Sequence, residues 1–343
     1  MAELTHEAML WSRADGGAGG AIDCSLCSHR CHIAEGKRGF CGVRENRGGT
    51  LFSLVYGRLV ADHMDPIEKK PLYHFLPGSL SYSIATPGCN FRCTFCQNWQ
   101  ISQVDAAPVA ESVGYVEPER VVSAAVAGGA PSISYTYTEP TIFMEYALDC
   151  ARLARREGLK NVFVTNGFQT PEAVQAMSGL IDAANVDLKA FSDEFYRRQC
   201  GGRLQPVLDA IAAMHQAGIH VEVTTLVVPG RNDSDEQLRG IARFLAGISP
   251  DLPWHVSRFH PDYKELGLPS TPVETMRRAD QIGREAGLHY VYLGNVLLEA
   301  GQDTKCPGCG KVLVRRRGFS RPNLYLTEPR CPDCGRQVPL VLQ

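Results

Sequence analysis

From residue 80 onward, short apolar runs alternate with longer stretches whose apolar positions recur every three or four residues. The short runs predict strands over 80–86, 132–138, 161–166, 184–189, 219–228, 254–259 and 289–293. The periodic stretches predict helices over 118–128, 140–157, 171–180, 203–217, 234–246 and 272–286. Pro118, Pro140, Pro171 and Pro272 each stand near a predicted helix start, where the missing proline N–H is harmless. Strands alternating with helices mean βαβ units and a parallel sheet. Repeated six or seven times over about 220 residues, they predict an α/β fold, a partial or complete (β/α) barrel.

Upstream the pattern is weaker. Residues 50–60 read as a strand pair broken at Gly57, and 14–20 as part of a flexible lead. Pro66, Pro71 and Pro77 make 65–78 an ordered but irregular linker. Its Lys69, Lys70 and His74 read equally as a solvated charged turn or as working residues. The expected division is a flexible lead over 1–20, a Cys-rich metal-binding segment and linker over 21–79, the barrel over 80–302 and a zinc ribbon over 303–343.

Barrels of this kind place their chemistry at the carboxyl ends of the strands. There the sequence puts Cys89, Cys93 and Cys96, then Tyr137-Thr138-Glu139-Pro140, Thr165-Asn166-Gly167, Asp187-Leu188-Lys189, Asn232-Asp233 and Phe259-His260-Pro261. Each could be an ordinary turn, but their joint position supports one site.

Thirteen cysteines are many for a chain whose first twenty residues show no basic and apolar secretory pattern. In a reducing compartment they point to metal or catalysis rather than disulfides, so a cytoplasmic location is expected. Eleven fall into three groups: 24/27/31/41, 89/93/96 and 306/309/331/334. Cys150 lies in a helical pattern and reads as a core thiol, and Cys200 is left over. Iron–sulfur clusters are held by cysteine thiolates, usually four. A three-cysteine set therefore reads as a cluster with one iron free to bind something else. Zinc, or three unrelated buried thiols, is the alternative. Cys24, Cys27, Cys31 and Cys41 fit structural zinc or a second cluster equally by spacing. Cys306-Pro-Gly-Cys309 and Cys331-Pro-Asp-Cys334, with 21 residues between the pairs, read as a zinc ribbon.

Net charge is −2, and no apolar run is long enough to span a membrane. The tail over 304–343 differs, with eight basic residues against two acidic ones, a net +6. Arg315, Arg316 and Arg317 stand between the two cysteine pairs. A solvated hairpin face accounts for them; nucleic acid is permitted but not favoured.

The C-x3-C-x2-C spacing of Cys89, Cys93 and Cys96 resembles the signature of radical S-adenosylmethionine (SAM) enzymes. Residues from about 24 to 300 resemble the branch containing the pyruvate formate-lyase activating enzymes. Cys-x-x-Cys-Ser-His-Arg-Cys, Lys-Lys-Pro-Leu-Tyr-His-Phe-Leu-Pro-Gly and Ser-Tyr-Thr-Tyr-Thr-Glu-Pro resemble the AmmeMemoRadiSam-system enzymes more closely. The resemblance implies a 4Fe–4S cluster on Cys89, Cys93 and Cys96 whose open iron chelates the methionine moiety of SAM. It implies SAM contacts from Phe95, at the adenine, and from Thr138, Glu139, Thr165, Asn166, Asp187, Lys189 and His260. Only Glu139-Pro140 of the family's Gly-Gly-Glu-Pro stretch is present, and Val164 stands where those enzymes often have Asp. The implied activity is reductive SAM cleavage to a 5′-deoxyadenosyl radical that abstracts hydrogen from a substrate, such as a glycine in a partner protein. A flavodoxin or ferredoxin would be the reductant. Modification of another protein, an RNA or a small molecule is the alternative, as is a non-catalytic zinc-dependent adaptor. The ribbon is expected to recruit substrate and to be dispensable for the radical step.

Overall fold

The computed structural model describes residues 6–14, 20–296 and 301–343. Eight strands form one sheet whose order follows the chain: β1 (Ala61–Pro66), β2 (Leu80–Ala85), β3 (Ser132–Tyr135), β4 (Lys160–Thr165), β5 (Ala183–Asp187), β6 (His220–Val227), β7 (Trp254–Arg258) and β8 (Val291–Gly294). β1 runs antiparallel to β2, and all other neighbours are parallel. The six crossovers carry α1 (Pro118–Ala127), α2 (Met144–Arg156), α3 (Pro171–Met177), α4 (Leu204–Gln216), α5 (Asp235–Ile248) and α6 (Val273–Glu285). This is the partial barrel of the α/β class. Thr170 caps α3 by accepting from Ala173 N, and Ser234 caps α5 by accepting from Gln237 N.

Alternation along the strands sorts side chains between two environments. On β6, Val221, Val223 and Val227 join the main apolar core, whereas Thr224 and Leu226 line the interior cavity. Cys150 is fully buried in α2, the core thiol expected.

The amino-terminal region departs from expectation. Residues 6–13 are not a lead. His6–Glu7 pairs with Thr50–Ser53, and Trp11–Arg13 pairs with Ile22–Cys24. Residues 1–5 and 15–19 of that lead lie outside the described residues. The strand pair expected within 50–60 is instead Arg44–Arg47 against Thr50–Ser53. The hairpin turns at Gly48 and Gly49, whose φ values of +62° and +76° suit glycine. β1 went unread because Asp62, His63 and Asp65 give it no apolar run.

The linker after β1 floors the barrel at the amino ends of its strands. Ile67, Leu72, Phe75 and Leu76 pack on Val162 of β4 and Ala183 of β5. Tyr73 N and His74 N donate to the buried Glu222 of β6, at 3.0 and 2.7 Å. His255 of β7 meets the same carboxylate at 2.6 Å. Lys70 and His74 are thus not a solvated turn, being 1% and 0% exposed.

The carboxyl-terminal strands Thr304–Lys305, Val312–Arg315 and Asn323–Leu324 form a small sheet with its own apolar cluster. It is welded to the floor. Val341 N donates to His74 O at 2.7 Å, and Leu76 N to Val341 O at 2.8 Å. Arg316 does not stand on a solvated basic face. Its buried guanidinium lies 4.2 Å from the Tyr73 ring and donates to Tyr73 O, Gln302 O and Thr304 Oγ1.

This junction makes stability depend on pH. His74 Nε2 meets Tyr292 Oη at 2.6 Å and Nδ1 meets Pro339 O at 3.2 Å, which suits a neutral ring. Burial holds its pKa down to about 3. Above the unfolded value near 6.5 neither state takes the proton, and stability is whole. Below it only the unfolded chain does, so up to about 1.4 kcal/mol is lost per pH unit until the pH nears 3. Urea unfolding should therefore show roughly 2 kcal/mol less stability at pH 5 than at pH 7 from this residue. His74→Asn should remove that share of the difference; an unchanged pH slope would refute the assignment.

Candidate active site

The loop between β2 and residue 98 carries Cys89, Cys93 and Cys96 and is held by hydrogen bonds from several elements. Arg92 N donates to Cys200 O at 2.7 Å and Thr94 N to Gln199 O at 2.9 Å. Thr94 Oγ1 donates to Glu265 Oε1 at 2.7 Å, and Thr138 Oγ1 to Thr86 O at 2.8 Å. Phe91 N donates to Cys89 Sγ at 3.3 Å, and Cys96 Sγ lies 3.1 Å from Ser102 Oγ.

The turns after β3 and β4 are locked together by Glu139. Its Oε1 accepts from Thr141 N at 3.0 Å, Thr141 Oγ1 at 2.5 Å and Thr165 Oγ1 at 2.7 Å. Its Oε2 accepts from Asn166 N at 2.7 Å. Burial raises its pKa against these four donors. Asn166 Nδ2 then donates to Asn90 Oδ1 at 2.7 Å, beside Cys89. Gly167 follows at φ +69°, and a Cβ there would stand 2.7 Å from Val186, so the turn needs glycine. The Glu139 carboxylate thus already holds the turns that face Cys89, a positioning role the sequence did not reveal.

Lys189, which follows β5, lies near enough to Cys93 to act on its thiol. Its Nζ lies 3.0 Å from Asp187 Oδ2 and 5.8 Å from the Phe95 ring centroid. Burial alone would lower its pKa, but Asp187 and the thiols of Cys93 and Cys200 hold it well above the usual value. Cys200 is the residue the sequence left unassigned. Its side chain raises the Cys93 thiol more than burial does, so the two sulfurs are neighbours. The only cue in the sequence was the Gly201-Gly202 pair after it; a Cβ on Gly202 would stand 2.4 Å from Phe91.

One cavity of about 850 Å³ unites these residues. Cys89, Cys93, Cys96, Phe95, Thr138, Glu139, Thr165, Asn166, Asp187, Lys189 and His260 all line it. His260 is on the exposed rim, with Nδ1 3.2 Å from Gln97 Nε2. The cavity is also lined by residues the strand-end pattern did not single out: Lys70, His255, Arg258 and Asn295. Tyr137 is left-handed at φ +61°, its hydroxyl donates to Asp65, and the Lys70 ammonium lies 4.3 Å from its ring. Burial lowers the pKa of Lys70 to about 8 despite Asp65 at 2.6 Å.

The donor set fits an iron–sulfur cluster. The three cysteines are free. Burial and Glu139 raise the Cys89 thiol well above its usual value, and burial raises Cys96. Such thiols become thiolate ligands beside a cationic centre. Asn90 Nδ2, next to Cys89, is buried with no partner in the chain.

The other groups divide by spacing. Among the described residues, Cys306, Cys309, Cys331 and Cys334 form the one set of three or more metal-binding side chains whose ligand atoms all lie within 4.8 Å. Cys306 and Cys334 stand 3.5 Å apart, and Cys309 and Cys331 3.6 Å, close enough to hold one metal ion. Cys24, Cys27, Cys31 and Cys41 are more widely spread. No helix among the described residues is long and apolar enough to cross a membrane.

Comparison with known proteins agrees with this geometry. An uncharacterized protein of Methanocaldococcus jannaschii is 42% identical over 342 residues, covering 98% of this chain and 100% of its own. A GTP 3′,8-cyclase of Geobacter sulfurreducens is 32% identical, covering 71% of this chain and 79% of its own. A pyruvate formate-lyase 1-activating enzyme of Escherichia coli is 24% identical, covering 58% of this chain and 87% of its own. The model of the radical SAM superfamily matches residues 83–245, from within β2 through most of α5, and the chain belongs to that superfamily.

Proposed function

We propose that this chain cleaves SAM reductively and abstracts hydrogen from a glycine of a partner protein, with flavodoxin or ferredoxin as reductant. The observation that carries the reading is the convergence of three free thiols, the Glu139-locked turns and the half-buried Lys189 in one cavity. Cys89, Cys93 and Cys96 would hold a 4Fe–4S cluster. Held there, such a cluster would supply the electron for reductive cleavage of SAM and thereby the radical chemistry that removes hydrogen from the substrate.

The chain's own residues position and shield. Glu139 fixes Thr165 and Asn166 against the cysteine loop. Phe95, 3% exposed, offers an apolar surface for adenine. Lys189 brings positive charge beside Cys93, which favours an electron-rich centre there. The floor formed by 67–78 closes the barrel from below and limits water entry to the radical's path. The activating-enzyme relative supports the glycyl substrate. The more similar cyclase relative favours a small-molecule substrate as the second reading. The carboxyl-terminal cysteines form a closed thiolate set that suits structural zinc. A cytoplasmic location follows from the free thiols and the reductant.

The test is an anaerobic assay with SAM and dithionite, reading 5′-deoxyadenosine. An extract of the source cells, grown on Cα-deuterated glycine, is split into protein and small-molecule fractions. Deuterium should enter 5′-deoxyadenosine from the protein fraction. Deuterium from the small-molecule fraction alone would move the reading to the second substrate class, and no 5′-deoxyadenosine would overturn both.

A further inference from the structure

We infer that Cys24, Cys27, Cys31 and Cys41 bind a second four-iron cluster and that this site passes electrons to the Cys89 loop. Short contacts gather the four cysteines: Cys24 N donates to Cys31 O at 2.9 Å, Arg30 N to Cys27 O at 3.0 Å, and Phe40 N, beside Cys41, to Cys31 Sγ at 3.4 Å. Yet they do not share the tight spacing of the carboxyl-terminal set. A single tetrahedral ion at about 2.3 Å draws four sulfurs close together. A cubane stands between its thiolates, each on a different iron, and keeps them farther apart. The Cys89, Cys93 and Cys96 triad is likewise wider than 4.8 Å, so the amino-terminal group matches the cluster ligands, not the compact set.

The surroundings suit an electron-accepting centre. The buried Arg44 guanidinium donates to Cys24 Sγ at 3.1 Å, and Phe40 N to Cys31 Sγ at 3.4 Å. Donors to sulfur favour the reduced state, and because Arg44 also pairs with the buried Glu145 its part here is the hydrogen bond. Arg30, between Cys27 and Cys31, is held at φ +45°, a conformation that persists where the surroundings impose it.

This site is joined to the catalytic loop. His29 Nε2 lies 2.8 Å from the carbonyl of Asn90, the residue after Cys89. Arg92, before Cys93, donates to Phe40 O at 2.6 Å, the residue before Cys41. Cys31 is half-buried, while Cys24, Cys27 and Cys41 are buried, so the group is open to solvent at Cys31. One electron from a low-potential carrier such as reduced flavodoxin would enter here and leave to the triad site. The carrier is oxidised by one electron, the triad site is reduced by one, and the relay is unchanged.

The inference rests on the radical SAM reading but is tested apart from it. Reconstituted full-length protein should hold about eight iron and eight sulfide, from two four-iron clusters. The Cys89→Ala/Cys93→Ala/Cys96→Ala variant should keep about four, with a reduced electron paramagnetic resonance signal indifferent to SAM. Cys27→Ala/Cys41→Ala should also keep about four, with a signal that SAM shifts. In that variant the ratio of flavodoxin-driven to dithionite-driven SAM cleavage should fall. Wild-type protein with four iron and a second zinc, or a triad variant without iron, would overturn the site. An unchanged ratio would overturn the relay. Failure of wild-type SAM cleavage with eight iron present would count against the proposed function alone.

Discussion

A chain ending at Gly301 is expected to lose SAM cleavage, including the slow cleavage that needs no substrate. The tail was expected to be a detachable recruiting module. The structure ties its small sheet to the barrel floor. Gln302 and Phe319 line the catalytic cavity, and Arg316 fills the gap between the floor and β8. Without Arg316, Tyr73 O loses a 2.5 Å donor, and the buried Glu68 loses the cation 4.0 Å away. Breaking a buried charge pair by removing one partner costs about 3–5 kcal/mol, a large share of an ordinary domain stability of about 5–15 kcal/mol. Arg316→Met should therefore lower the unfolding free energy obtained from urea titration by that amount while keeping the apolar stem. Removing metal from Cys306, Cys309, Cys331 and Cys334 should act in the same direction, because their small sheet presents Arg316. A truncated chain that makes 5′-deoxyadenosine at the full-length rate would return the tail to recruitment alone.

Legibility followed the strength of local signals. All seven barrel strands and six crossover helices predicted from periodicity are present, because each buries an apolar face against the same core. The strand-end rule then brought Thr138, Glu139, Thr165, Asn166, Asp187, Lys189 and His260 to one cavity with the three cysteines. Elements made by distant pairing were unreadable. His6–Glu7 and Trp11–Arg13 are too short for a period, and their partners lie elsewhere in the chain. Tertiary charge was also hidden. Lys70, His74 and Arg316 look like solvent residues in sequence and are buried because Asp65, Tyr292 and Tyr73 receive them. Glu139 was found by motif, but its work as a lock between two turns appeared only when four donors converged on it.

Alanine at Cys89 or Cys96, or at Cys93 together with Cys200, is expected to reduce SAM cleavage to background and to bleach the SAM-responsive part of the iron–sulfur absorbance. Three thiols are the least the site can spare, and each is placed differently. Cys89 is fixed through Asn90 and Asn166, and Cys96 through Ser102. Cys93 faces Lys189 and Cys200. Cys200 offers iron a substitute thiol when Cys93 is removed, so the clean variant is Cys93→Ala/Cys200→Ala. Cys200→Ala alone should keep its iron, since the triad is intact. Lys189→Met keeps every sulfur and removes only the ammonium beside them. Loss of such an outer partner commonly costs roughly 10–100-fold in metal affinity or activity. Iron content at the triad should then hold while dithionite-driven 5′-deoxyadenosine formation falls within that range. The reduction potential should move negative, because the electron added to the site loses its nearest positive charge. Equal potentials in wild type and Lys189→Met would show that Asp187 already neutralises the lysine, leaving it a structural strut. Full SAM cleavage by the Cys93→Ala/Cys200→Ala variant would remove the triad from the chemistry.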